Sequence, residues 1–213
     1  MLGLVALLLP LGLMACSADR FEGFQPPPLS YQDRTPIRLA VVEVGLESRF
    51  EPPAGPTHIE ASLPLTPEVA TLALLRQRLQ AAGTAGGMLA VVEDASVVEE
   101  TVGPFGGPDA TSDPSAQRRL RGRVKVRLVE VDDAGRETAA VTTAVTRTMS
   151  VPKEATGARR QAIAYALVRD LVDDLDRSLI ENIYQSFVVL PNSARPQPVV
   201  PEGGGPQRPA DRS

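Results

Sequence analysis

The segment from Leu120 to Val131 restricts the fold more than any other stretch of the chain. Leu120, Val124, Val126 and Leu128 alternate with Arg119, Arg121, Arg123, Lys125 and Arg127. Successive side chains of a strand point to opposite faces, so this period of two separates apolar from charged residues only in an extended strand with one dry face. A wet face opposite a dry one is the pattern of antiparallel sheets. Asp132-Asp133-Ala134-Gly135 follows as a turn, and Arg136 to Met149, rich in Thr, Ala and Val, returns as the next strand. The expected register sets Val126 opposite Val141, Leu128 opposite Ala139 and Gly122 opposite Val145. It assumes a tight two- or four-residue connection centred on Asp133-Ala134. A slip of one residue would turn one strand inside out.

Two helices are available to cover the dry face. Thr66-Pro67-Glu68 places a capping hydroxyl, a proline at the first helical position and an acid in the first turn. That helix is expected to run to about Ala82, burying Val69, Leu72, Leu75 and Leu79, with Gly83 as its stop. Pro152 to about Gln185 is the longest helix. Ala164, Val168, Leu171, Leu175, Leu179 and Ile183 form its stripe, which Leu167 and Val172 widen. Asp170, Asp173, Asp174 and Asp176 lie off the stripe and read as a solvated face. Pro36 to Leu46 reads as a first strand, buried on both faces or bulged. Met88 to Val102 reads as a second, interrupted near Glu93-Asp94. Residues 47–65 and 103–115 are Pro- or Gly-rich loops, and Ser186 to Leu190 is either an edge strand or the last docked turn of the helix. The order β-α-β-β-β-α predicts an α+β fold, a mostly antiparallel sheet with both helices packed on one face.

The ends read differently. Leu2 to Leu13 is an uncharged apolar run interrupted by Pro10, the size of a signal h-region and shorter than the ~20 residues that span a bilayer. It closes in Leu13-Met14-Ala15-Cys16, with the only cysteine of the chain. The tetrapeptide resembles the lipobox of bacterial lipoproteins. That resemblance implies that residues 1–15 are a signal peptide removed on maturation, that Cys16 carries a diacylglycerol thioether, and that the new amino terminus is acylated. Several acyl chains anchor stably where one gives only marginal binding. By the same resemblance Ser17 favours the outer membrane, on its periplasmic side, over the inner one. Residues 16–35 then form a tether, stiffened by Pro26-Pro27-Pro28, and Phe21, Phe24 and Tyr31 either dock on the domain or sit among headgroups. Residues 36–190 form the α+β domain. Residues 191–213, without aromatics and rich in Pro and Gly, are expected to be disordered.

Chemistry is sparse in this sequence. His58 is the only histidine and sits in a Pro-rich loop without a Gly-x-Ser-x-Gly elbow, so no catalytic residue is expected. If Cys16 is lipidated no thiol remains, and no metal site or cofactor is expected. Gly83-Thr84-Ala85-Gly86-Gly87 follows a helix and precedes a strand, the reverse of a phosphate loop. The paired acids Glu93-Asp94, Glu99-Glu100 and Asp173-Asp174 have no spacing that selects a glycosidase pair. A formal net charge of −4 predicts no nucleic-acid partner. Arg118 to Arg127 is the specific lead. Arg119, Arg121, Arg123, Lys125 and Arg127 share one strand face, and the expected register sets Ala140, Thr142, Ala144 and Thr146 beside them, none able to neutralise them. Either the face is simply solvated, or it binds anionic lipid, a cell-wall polymer or an acidic protein. In outline, an α+β domain on an acylated tether resembles auxiliary lipoproteins of envelope transport and assembly machines. That likeness implies a non-catalytic accessory or assembly factor with an envelope protein partner, in a membrane entered through acyl chains on Cys16. The alternative is a lipid- or polymer-binding module using the basic face.

Overall fold

A computed structural model of the chain describes residues 23–103 and 117–196. The expected α+β class is what it has. Strands β1 (Ile37–Leu39) and β2 (Glu43–Ser48) precede a one-turn 3-10 helix at Glu60–Ser62. Helix α1 (Pro67–Arg78), β3 (Leu79–Ala81), β4 (Gly87–Val102), β5 (Gln117–Val131), β6 (Glu137–Val151) and helix α2 (Gly157–Ser186) follow. One sheet has the order β2-β4-β5-β6, with β2 parallel to β4 and the other pairs antiparallel; β1 and β3 form a small parallel pair.

Both helices cover one face. Val124, Val126 and Leu128 from β5 meet Leu74 and Leu75 of α1 and Leu171, Leu175 and Leu179 of α2 in one core, all completely buried. The α2 stripe is buried as the sequence predicted, and the bulge in β4 falls between Val92 and Asp94, also as predicted.

Four expectations need correction. The single first strand is two, because the chain bends at Ala40–Val42 and passes from one sheet to the other. The amide of Ala40 donates to Val188 O and that of Val42 to Gly86 O, instead of continuing one ladder. Helix α1 stops at Arg78 rather than Ala82, since Leu79–Ala81 is taken up as a strand against Ile37–Leu39. Its buried face carries Ala70, Thr71, Leu74, Leu75 and Arg78, while Val69 is 55% exposed. In the hairpin, Val126 faces Thr143, Leu128 faces Val141 and Gly122 faces Arg147, two residues from the expected register.

The hairpin connection explains that shift. Asp132 N donates to Arg136 O, closing a three-residue loop in which Gly135 has φ +74°. A left-handed residue after a turn is the three-residue hairpin that brings a bulge with it. The bulge lies between Glu130 and Val131 and adds one further residue to the offset. A total slip of two preserves which face each side chain occupies, so the dry and wet faces are as predicted.

The domain also extends past its predicted ends. Tyr31 is 2% exposed within the core, and Phe24 packs on Tyr165 with ring centroids 5.7 Å apart. Beyond Leu190, the amide of Ala194 donates to Pro36 O, and Ser193 and Ala194 are buried. Cys16, the lipobox, residues 104–116 of the expected loop and the chain after Pro196 lie outside the described residues.

Candidate functional site

The five predicted site residues stand in one row on the wet face of β5, with side chains 38–51% exposed. On one side the β6 residues directly opposite the row, Thr142, Ala144, Thr146, Thr148 and Ser150, are uncharged as expected even though the register differs, and β6 adds a carboxylate only at its first residue, Glu137. On the other side β4 supplies carboxylates. Arg119 and Arg121 lie 2.8 and 3.5 Å from Glu100, Arg123 3.2 Å from Asp94, and Lys125 2.8 Å from Glu93. Arg127 reaches Glu137 at 3.0 Å, and Arg118 reaches Glu99 at 3.7 Å. The β4 bulge makes this possible. An ordinary strand would send Glu93 and Asp94 to opposite faces, whereas the extra residue lets both reach the cations of β5. Exposed ion pairs of this kind contribute up to ~1 kcal/mol each, and they set strand pairing more than stability.

A second charged group, unforeseen from the sequence, sits where the amino-terminal segment crosses α2. Asp176 is 4% exposed and Arg78 2%. Arg78 Nε donates to Asp176 Oδ1 at 2.8 Å, and its Nη1 donates to the Thr35 carbonyl. Arg34 donates to Asp176 Oδ2 at 2.8 Å and to Asp173 Oδ1 at 2.7 Å, and its guanidinium lies 4.9 Å from the Tyr31 ring centroid. Burial opposes the Arg34 charge, but the hydrogen bonds it donates to Asp173 and Asp176 outweigh it and raise its pKa above the ordinary arginine value. Burial, then the Asp173 carboxylate, pushes the Tyr31 phenol up. The cluster lines an open cleft of about 490 Å³ that Ile180, Ala194 and Arg195 complete. Arg34, Arg78, Asp173 and Asp176 pair with one another. Helical spacing alone assigned Asp176 to the solvated side of α2. The signal missed was a buried arginine at the last position of α1, which requires a carboxylate opposite.

His58 lies apart from both groups. Its Nδ1 is 3.0 Å from Glu60 Oε1, which also accepts from Val97 N at 2.7 Å, so the pair fastens the Pro-rich loop to β4. Among the described residues no group of three or more His, Cys, Asp or Glu is placed to hold a metal, and no helix is long and apolar enough to cross a membrane.

No family model and no curated protein sequence matches the chain. Among solved structures, a minor lipoprotein from Acinetobacter baumannii is similar over 70% of this chain and 98% of its own, at 13% identity and a TM-score of 0.39. Rare lipoprotein B from Shewanella oneidensis is similar over 67% of this chain and 95% of its own, at 12% identity and a TM-score of 0.35.

Proposed function

We propose that the chain is a lipid-anchored lipoprotein of the bacterial envelope, facing the periplasm, that acts as a non-catalytic accessory or assembly factor of an envelope complex. The observation that carries this reading is Leu13-Met14-Ala15-Cys16, an apolar run ended by the only cysteine in the chain. The side-chain inventory agrees with a binding role, since the buried charges are mutually paired rather than poised for proton transfer. Binding of an anionic lipid or polymer on the basic face is the weaker reading. Each cation of the row already has a carboxylate within 3.7 Å, so an anionic partner would have to displace these pairs.

The test is metabolic labelling with an alkyne-bearing palmitate analogue, followed by membrane fractionation and crosslinked pull-down. The native chain should take up label, sediment with membranes and recover subunits of one envelope assembly. C16S should take up none. A native chain that stays unlabelled defeats the anchor. Labelling without any recovered partner, but with binding to anionic vesicles that R121E/R123E/R127E abolishes, would replace the accessory role with the binding module.

A further inference from the structure

The two edges of the main sheet differ sharply. β2 is six residues long and carries Glu43 and Glu47, the kind of short, charged edge that resists pairing with other strands. β6 is 15 residues long and pairs with β5 on one side only. No described residue outside the hairpin makes a backbone hydrogen bond to it. From Ala139 to Val151 it contains no Pro and no Gly, and its one charge, Arg147, is spent on Asp174 at 2.5 Å and Asp170 at 3.6 Å of α2. Its wet row, Ala140, Thr142, Ala144, Thr146, Thr148 and Ser150, is exposed and uncharged. On the helix side, Ala139, Val141, Val145 and Met149 are half-buried at the margin of the core.

We propose that β6 is a self-association edge. Two copies pair their β6 strands antiparallel about a two-fold axis through Val145, fusing two four-stranded sheets into one. The residues themselves select this register. On the helix side Val145 meets Val145, Val141 meets Met149 and Ala139 meets Val151; only Thr143 meets Arg147. On the wet side Ala144 meets Thr146, Thr142 meets Thr148 and Ala140 meets Ser150, small residues without a charge to oppose. An axis moved to Ala144 would set Val141 against Arg147, and one moved to Thr146 would set Val145 against Arg147. Such a closed, isologous contact covers both open edges at once. An axis normal to the sheet also keeps both helix layers on one side, so both amino-terminal segments leave from the same layer. The proposal does not depend on the lipid anchor.

Charge placed beside the axis tests it. In the purified full-length chain, A144K/T146K sets lysines opposite lysines across the dimer, and A144E/T146E sets carboxylates opposite carboxylates. Both side chains are exposed on the wet face, so circular dichroism and melting temperature should match the native chain. Sedimentation equilibrium should show a native dimer, at least ~10-fold weaker association for either variant alone, and recovery on mixing the two, where Lys meets Glu. A native chain that remains monomeric up to ~1 mM, the effective concentration of short tethering, overturns the proposal. So does native-like association of both variants. A photo-crosslinker at Thr146 in membranes that captures a different protein and never a second copy would assign the edge to a foreign strand instead.

Discussion

Asp176 holds two arginines at once, and its position shows how a single residue escapes pattern reading. In sequence it is one of several acids off an apolar stripe. In the structure it is buried between Arg34 and Arg78, which arrive from 142 and 98 residues away. Removing one partner of a buried pair leaves the other charge uncompensated, at a cost of ~3–5 kcal/mol. D176A should therefore lower unfolding free energy by about that amount in urea denaturation. D174A, which removes a half-buried carboxylate whose partners Arg147 and Arg177 are themselves 40% and 58% exposed, should change it by about 1 kcal/mol or less. Tyr31, beside this cluster, predicts a pH dependence. Its folded pKa lies above the ordinary 10.0 because burial, and after it Asp173, penalises the phenolate. The folded chain keeps the proton at a pH where the unfolded chain releases it. The contribution is thus whole below 10.0 and declines as pH rises through 10.0 towards the higher folded value. Y31F should flatten the alkaline fall of the melting temperature. Because the Tyr31 hydroxyl is buried with no partner among the described residues, Y31F should not lower stability at neutral pH.

At the scale of elements, what was legible is what has a period. The alternation of β5 and the stripe of α2 each repeat over many residues, so the strand, the helix and the faces they bury followed directly. Short pieces did not. Ile37–Leu39 and Leu79–Ala81 are strands only because they pair with each other, and nothing local in Leu79-Gln80-Ala81 distinguishes a strand from a helix end. The register of β5 against β6 depended on whether the loop held two, three or four residues, a choice made by Gly135 and by Asp132 accepting from Ala134 N and Arg136 N. The carboxylates beside the basic row were visible as Glu93-Asp94 and Glu99-Glu100. Their partners were not, because the residues between β4 and β5 are too many for the sequence to fix the pairing. The crossing of α2 over β5 offers a test of packing. A Cβ on Gly122 would lie 3.0 Å from Leu171 Cδ2 and 3.5 Å from Leu167 Cδ2. G122V should destabilise by ~1–3 kcal/mol through overpacking. Combined with L171A, which opens that space, it should cost less than the sum of the two single changes, as urea denaturation of all four proteins would show.

At the scale of the whole molecule, the boundary between tether and domain moves. Polyproline composition predicts stiffness at residues 26–28, but stiffness says nothing about distance from the domain. The segment is held by both helices, with Tyr165 Oη of α2 donating to the Pro27 carbonyl at 2.9 Å and Tyr31 N donating to Gln77 Oε1 of α1 at 2.7 Å. Such anchors are single residues touching remote elements, and they leave no periodic trace. Were Cys16 the anchored residue, as proposed, docking of residues 24–35 would leave only residues 17–23 between the anchor and the domain. A free spacer to Thr35 would add ~3.1 Å for each residue released. The two descriptions differ in stability as well as reach. A chain that begins at Pro36 loses Tyr31 from the core and leaves Asp176 with Arg78 alone, whereas a chain that begins at Gly23 retains both contacts. Emptying the place of a buried aromatic costs ~3–5 kcal/mol, so the shorter chain should unfold with at least ~3 kcal/mol less free energy than the longer one. Equal denaturation midpoints for the two would show that residues 24–35 are a spacer after all, with a core complete without them.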